Sequence, residues 1–324
     1  MDKIDKKLIT LLQNNARMPL KALAENVFLS SPAVSARIER LEKEEKLFIN
    51  HVIKNNGCEM DGIVIMRDDD NISPNIYLNP FYNEYENGMS IQDVSNNIIE
   101  FYNNNKGQIS INSQFFLDFE NIKKTIVYKV INYESNKKLL EKVPHKKILD
   151  LAVVYYCLLE QFEDMSVISL IYNEHIKAWK ITQDYIYKVA RKNTPKLLKY
   201  SIKSMTDMVI DKFKDDFKLK FNQTELKELK QNDMFILTNE SRLNGATCML
   251  YENVLDKFAN EIKSDLYILP SSIHEVIILP KKEWYKKSDL ESMINEVNTD
   301  NLSVDEILSD RVYMFERKNG ILTM

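Results

Sequence analysis

Residues 1–44 read MDKIDKKLITLLQNNARMPLKALAENVFLSSPAVSARIERLEKE, and this stretch decides the fold at the start of the chain. Ile4, Leu8, Leu11 and Leu12 recur at helical spacing and form one apolar stripe. The spacing predicts a first helix that starts at Asp2 or Asp5, where carboxylates favour a helix N-terminus, and stops near Asn14-Asn15. A second helix is predicted from Pro19, a residue suited to a first turn, with Leu20, Leu23, Ala24 and Val27 inward. After the turn Phe28-Leu29-Ser30 a third helix is predicted to open at Ser31-Pro32, with Ser31 as N-cap and proline at the first helical position. Its inward stripe is Val34, Ile38 and Leu41; Ala33 and Ala36 fall on or near the far side with Arg40, and Arg37 lies between the two faces. Small residues let a helix sit close to base edges, and flanking arginines reach phosphates or the edge of a guanine. That is the expected layout of a helix-turn-helix recognition helix, whose first turns touch the bases. The bland alternative is three packed helices with a solvated charged face.

The literal residues go further. Asp2-Lys3-Ile4-Asp5, the run Leu11-Leu12-Gln13-Asn14-Asn15-Ala16-Arg17, Leu23-Ala24, Leu29-Ser30-Ser31-Pro32-Ala33-Val34-Ser35 and Arg37-Ile38-Glu39-Arg40-Leu41-Glu42 stand in register. In these pieces the stretch resembles the helix-turn-helix of the Lrp/AsnC family of bacterial transcriptional regulators. The resemblance implies sequence-specific binding of double-stranded DNA in bacterial transcriptional regulation. Carried over residue by residue, it implies DNA contacts at Ser31, Ala33, Ser35, Arg37 and Arg40, with Arg17 as a backbone contact. It stops after the third helix. Glu45 stands where the family has glycine, and no trace of the family's ligand-binding and dimerising domain follows. Amino-acid effectors, octamers and paired half-sites are therefore not carried over.

Composition sets the remaining bounds. A chain of 324 residues is long enough for two or three domains. Its apolar and charged fractions, 44% and 28%, are ordinary for a globular protein. No run of about 18 apolar residues would span a membrane, and the first residues are charged rather than signal-like. Cys58, Cys157 and Cys248 lie far apart, which points to a reducing cytoplasm and to neither a disulfide framework nor a zinc site. The first 50 residues carry nine basic and seven acidic side chains, a net of +2 within a chain of −4. So small an excess predicts weak DNA binding by one copy, because phosphate neutralisation supplies most of the affinity. A homo-oligomer is the expected remedy.

Beyond residue 48 the pattern turns mixed, so the fold class expected is α+β: a helix-turn-helix at 1–48 and a larger domain at 49–324, divisible into two lobes near 211–232. Strands are predicted at Val52–Lys54 and Ile63–Met66 around Asn55-Asn56-Gly57, at Asn75–Leu78, Val127–Val130, Ile148–Leu158, Val167–Tyr172, Met234–Leu237, Ala246–Leu250, Leu266–Leu269, Val276–Leu279 and Val312–Phe315. Helices are predicted at Ser90–Tyr102, Phe115–Lys124, Thr182–Lys192, Pro195–Phe213, Val254–Ile262 and Leu290–Val297. Asp68-Asp69-Asp70-Asn71 reads as a solvated acidic loop, since its spacing does not fit an EF-hand. Asn71-Ile72-Ser73-Pro74, Phe81-Tyr82, Tyr85-Glu86-Asn87-Gly88, Asn193-Thr194-Pro195 and the run from Tyr267 to Val276 resemble an uncharacterised bacterial domain family of unknown function, which implies no activity.

Chemistry is sparse. His274-Glu275 lacks the second histidine four residues on that a zinc protease helix needs, because position 278 is Ile. Ser271, Ser272, His274 and Glu275 still group polar atoms between two apolar runs and are the candidate pocket, which keeps an enzyme as one alternative. The other alternative is an interaction protein whose helix-turn-helix no longer reads DNA. His175 reads as a surface cap and Cys157 as core. Six glycines occur and none stand in phosphate-loop spacing, so no nucleotide cofactor and no metal are expected. No effector is identified by these residues.

Overall fold

The computed structural model describes residues 3–14, 18–44, 46–66, 75–105, 116, 118–161, 166–212, 233–270 and 272–324. They form two compact units, Met1–Val52 with Glu59–Ser113, and Ile53–Cys58 with Gln114–Met324. The fold is α+β throughout, with antiparallel sheets in both units.

In the first unit α1 (Lys3–Asn14), α2 (Leu20–Val27) and α3 (Ser31–Glu44) bury most of the expected stripes against one another; Leu20, expected inward at the start of α2, is exposed instead, and the side chain of Leu41 lies outside the described residues. Leu8, Leu23, Ala24, Val27 and Val34 are buried, and Ile4, Leu11, Leu12, Met18, Leu29 and Ile38 pack around them. A sheet of order β1-β2-β3 follows, built from Lys46–Ile53, Glu59–Met66 and Asn75–Tyr77. The expected hairpin is present with strands longer than predicted. Its tip is a 3-10 turn at Asn55–Gly57, with Asn56 and Gly57 at φ 56° and 72°. Two helices complete the described part, α4 (Asn79–Glu86), which was not anticipated, and α5 (Ile91–Asn105), close to the predicted Ser90–Tyr102. The acidic loop at Asp68 to Asn71 lies outside the described residues.

The second unit holds two sheets. In one, β6 (Leu151–Gln161) lies between β4 (Ile126–Asn132) on one side and β5 (His145–Ile148), then β7 (Ser166–Leu170), on the other. In the other, the order is β13-β12-β10-β11-β9-β8, with β8 Tyr200–Ser204, β9 Phe235–Asn239, β10 Leu266–Leu269, β11 Val276–Pro280, β12 Tyr313–Glu316 and β13 Ile321–Thr323. The helices are α6 (Phe119–Ile122), α7 (Lys137–Leu140), α8 (Asn173–Trp179), α9 (Gln183–Leu197), α10 (Met205–Lys212), α11 (Val254–Ile262) and α12 (Lys287–Asp300). One core joins the two sheets, with Tyr128, Val153 and Tyr155 meeting Leu255, Ile268, Val276 and Ile278. Among the described residues β4 has one edge without a strand partner, and two buried hydroxyls occupy it. The Tyr128 N–H donates to Thr194 Oγ1 at 3.0 Å and the Val130 N–H to Thr247 Oγ1 at 3.2 Å. That satisfies amides which would otherwise be open to another strand.

Several predicted elements need correction. Ala246–Leu250 is a 3-10 turn spanning Gly245–Leu250, not a strand. A run buried from several sides gives continuous apolar sequence in either geometry. A Cβ on Gly245 would lie 2.1 Å from Thr238 Oγ1 and 2.4 Å from the His274 carbonyl oxygen, so the backbone itself fills that space. The two helices expected on either side of Pro195 are one helix, α9, followed by β8 and the short α10. Pro195 falls in the last turn of α9, and Asn193 Nδ2 anchors that turn by donating to the carbonyls of Lys123 and Ile126. The strand predicted from Ile148 starts at Leu151, because Leu149 turns through φ 55°. Residues 213–232 lie outside the described residues, and the strands before and after them, β8 and β9, pair directly. The helix predicted over Phe115–Lys124 is described only as α6 and Phe116.

Candidate nucleic-acid interface

The turn between α2 and α3 places the candidate recognition helix. Phe28 ends α2 in the left-handed region, φ 58° and ψ 42°, and the Leu29 N–H donates back to the Ala24 carbonyl at 3.1 Å. Ser30, not Ser31, then caps α3: its carbonyl accepts from the Val34 N–H at 3.0 Å, and its hydroxyl lies 3.4 Å from the Ala33 amide nitrogen. Capping satisfies amides that have no helical acceptor and fixes where the helix begins. Val34 and Ile38 turn inward. Ser35 and Ala36 are exposed, and Ser31 and Ala33 are half-buried at the first turn.

Arg37 has a different environment from the one its sequence position suggested. Its guanidinium lies 2.7 Å from Asp5 Oδ1, and the Asp5 side chain has no exposed surface. The pair ties α3 to α1 through charge-assisted hydrogen bonding. Arg37 thus has a structural partner, and only about a quarter of its side chain is exposed. Arg17 and the side chain of Arg40 lie outside the described residues. Phe28, the turn residue, is 89% exposed, with Lys7 Nζ 5.6 Å from its ring centroid.

The polar turn before β11 is assembled differently. Ser271 lies outside the described residues. Ser272 is buried, and its hydroxyl accepts from the His274 N–H at 3.0 Å. The His274 carbonyl accepts from Thr238 Oγ1 at 2.7 Å. Its Nδ1 lies 3.1 Å from the Arg242 carbonyl and 3.4 Å from the Asn244 amide. Its Nε2 faces Glu306 Oε1 at 3.9 Å. The histidine is therefore held by the loop around Arg242 and Asn244, both at positive φ, and its acidic neighbour is Glu306 rather than Glu275. A cavity of about 300 Å³ in this unit is lined by Met249, Tyr251, Asp256, Phe315 and Leu322, among others, and by none of the expected pocket residues.

The remaining candidates resolve as packing. Burial pushes the Cys157 and Cys248 thiols up to about 12, which suits core side chains and not nucleophiles. His175 Nδ1 accepts from the Tyr172 N–H at 3.1 Å, so it caps α8, and burial lowers its basicity. Among the described residues, no three His, Cys, Asp or Glu side chains are grouped to hold a metal, and no helix is long and apolar enough to cross a membrane.

Two family models match this chain. An AsnC-type helix-turn-helix domain matches residues 1–42, and a family of unknown function (DUF5688) matches residues 32–317. The two matches overlap within α3. No curated protein and no solved structure matches the chain.

Proposed function

The chain belongs to the family of unknown function DUF5688 and opens with an AsnC-type helix-turn-helix domain, and on that premise we propose that it binds double-stranded DNA sequence-specifically through α3 and regulates transcription. The observation that carries the reading is the division of α3. Val34 and Ile38 hold it on α1 and α2, while Ser35 and Ala36 remain exposed beyond a capped first turn. Ser31, Ala33 and Ser35 meet the bases in this reading, and Arg17 and Arg40 supply phosphate contacts. Arg37 acts chiefly by positioning α3 through Asp5. The chain is then a regulator rather than an enzyme and works in the cytoplasm, where the DNA is. The small positive excess of residues 1–50 calls for a second copy on the DNA.

The same small excess also favours one other reading, a protein-interaction module that has lost DNA binding. The test separates them. Genomic fragments are selected on the full-length protein beside Ser35→Glu and Ala36→Glu, which place a carboxylate on the exposed face of α3 without touching its core. The regulator reading expects an enriched motif, with affinity lowered about 10-fold or more in each variant. Absence of a motif, or binding that both variants retain, overturns it.

A further inference from the structure

Helix α9 carries two rows of residues at the same four-residue spacing. Ile186, Ala190 and Thr194 form one row, and all three are buried. This row is held on β4, where the Thr194 hydroxyl accepts from the Tyr128 N–H at 3.0 Å and donates to the Ala190 carbonyl at 2.6 Å. Two positions on from each of them stand Lys188, Lys192 and Lys196, and all three are exposed. At about 100° per residue, a step of two turns a side chain to the far side of a helix, so the lysines form the outer row. Arg191 flanks that row and is answered by Glu252 at 3.2 Å. Lys188, Lys192 and Lys196 make no ion pair among the described residues. From Tyr185 to Thr206 the chain has six basic side chains and no acidic one, although its net charge is −4, so the sign of this face does not follow from composition.

The fold does not call for that sign. Like charges four residues apart repel along a helix, and one glutamate in the row would turn repulsion into attraction. The helix dipole favours Lys196 in the last turn but not Lys188 in the second. Exposed helix positions accept any good helix former, so packing does not select lysine either. The uniform sign is therefore matched to a partner with closely spaced negative charges. At 1.5 Å per residue the row is about 12 Å long and runs beside about seven phosphates of a duplex. Lysine meets a phosphate as a point charge and reads no base. We propose that the outer face of α9 is a second contact surface for double-stranded DNA, on which Lys188, Lys192 and Lys196 neutralise backbone phosphates without reading sequence. The choice of duplex DNA rests on the DNA-binding reading of the first unit, where residues 1–50 carry a net of only +2 and leave backbone affinity to be supplied elsewhere.

The test measures the affinity of the full-length protein for a random-sequence duplex by fluorescence anisotropy, from about 50 to 200 mM salt. The variant is Lys188→Gln, Lys192→Gln and Lys196→Gln together, which keeps helix formers at exposed positions. A control carries Lys257→Gln, Lys286→Gln and Lys287→Gln, also exposed and in the second unit, and changes net charge equally. Each phosphate contact contributes about 0.9 to the slope of log affinity against log salt, so the α9 variant is expected to lower that slope by about 2–3 and the control by less than about 1. Arginine at the same three positions is expected to restore it. The loss is the same for every duplex sequence, whereas Ser35→Glu removes motif preference and leaves the α9 contribution in place. If no motif is found but the α9 variant alone loses slope, base reading by α3 fails and this surface stands. A wild-type slope in the α9 variant, an equal loss in the control, a loss that arginine does not restore, or a loss seen with single-stranded RNA or anionic vesicles and not with the duplex overturns it.

Discussion

Asp5 in the first unit and Lys129 in the second are charged side chains set among apolar neighbours, and the two units treat them in opposite ways. Asp5 is fully buried and meets the Arg37 guanidinium at 2.7 Å. Lys129 meets no carboxylate among the described residues and lies under the field of Lys54. A paired buried charge fixes how elements dock, which is what three short helices with a small core require. A half-buried one without a counter-charge destabilises the folded chain more modestly, by partial loss of its hydration. The contrast separates a charge answered by the chain from one answered by the solvent that its half-buried side chain reaches.

The largest expected effect breaks the answered pair. Arg37→Ala strands the Asp5 carboxylate inside the three-helix core and is expected to cost about 3 kcal/mol, the low end for a buried pair because Arg37 is partly exposed. Hydrogen exchange of the α1–α3 amides measures this, since both tryptophans lie in the other unit. Asp5→Leu combined with Arg37→Met is expected to recover most of the loss, as apolar pairs of similar volume often do. If Arg37→Ala exchanges like the wild type, the pair is not structural and Arg37 returns to the set of free DNA contacts.

The opposite sign is expected at Lys129. An amine pushed down to about 8 destabilises the folded chain, by less than the roughly 3 kcal/mol of a fully buried amine because the side chain is only half-buried. Lys129→Met should therefore stabilise the second unit by up to that amount at pH 7. The folded pKa lies below the unfolded one, so the unfolded chain binds more protons between pH 8 and 10.5, and wild-type stability rises with pH across that window. Below about pH 8 both states are protonated and the penalty is complete. The advantage of Lys129→Met should shrink from pH 8 to 10.5, and comparing the two proteins cancels the contribution of groups they share. Urea unfolding followed by tryptophan fluorescence checks it; a pH-independent difference would mean that Lys129 is solvated.

The three N-terminal helices were legible in the residues because helical periodicity acts over short distances: Leu8, Leu23, Val27 and Val34 appear in the core where their spacing put them. The family resemblance was legible there too. What spacing could not supply were contacts between residues far apart in the chain. Arg37 lies between two helical faces, and only its meeting with Asp5, 32 positions away, decides its role. The polar turn at His274 showed its composition but not its partner, since Glu306 arrives from another segment. Lys129 gave no signal at all: one lysine in an apolar strand looks like an outward residue until pairing with β6 sets its face. Ala246–Leu250 misled because an apolar run does not distinguish a strand from a buried turn.

The smallest effect sharpens the comparison at the turn that aims α3. Phe28 adopts φ 58° with a bulky side chain, a conformation glycine reaches without strain. Its ring is 89% exposed, so it contributes little burial, and the Lys7 ammonium at 5.6 Å is a weak surface contact. Replacing it by glycine removes the left-handed penalty but loosens the unfolded chain and loses that contact, so Phe28→Gly is expected to stabilise the three helices by only about 0.5–1 kcal/mol. Amide exchange in α2 and α3 measures it. A loss of stability would mean that the exposed ring has packing worth more than the strain. A gain in stability accompanied by weaker DNA binding would mean that Phe28 is kept for contact with the bound duplex, which would move part of the interface from α3 to the turn.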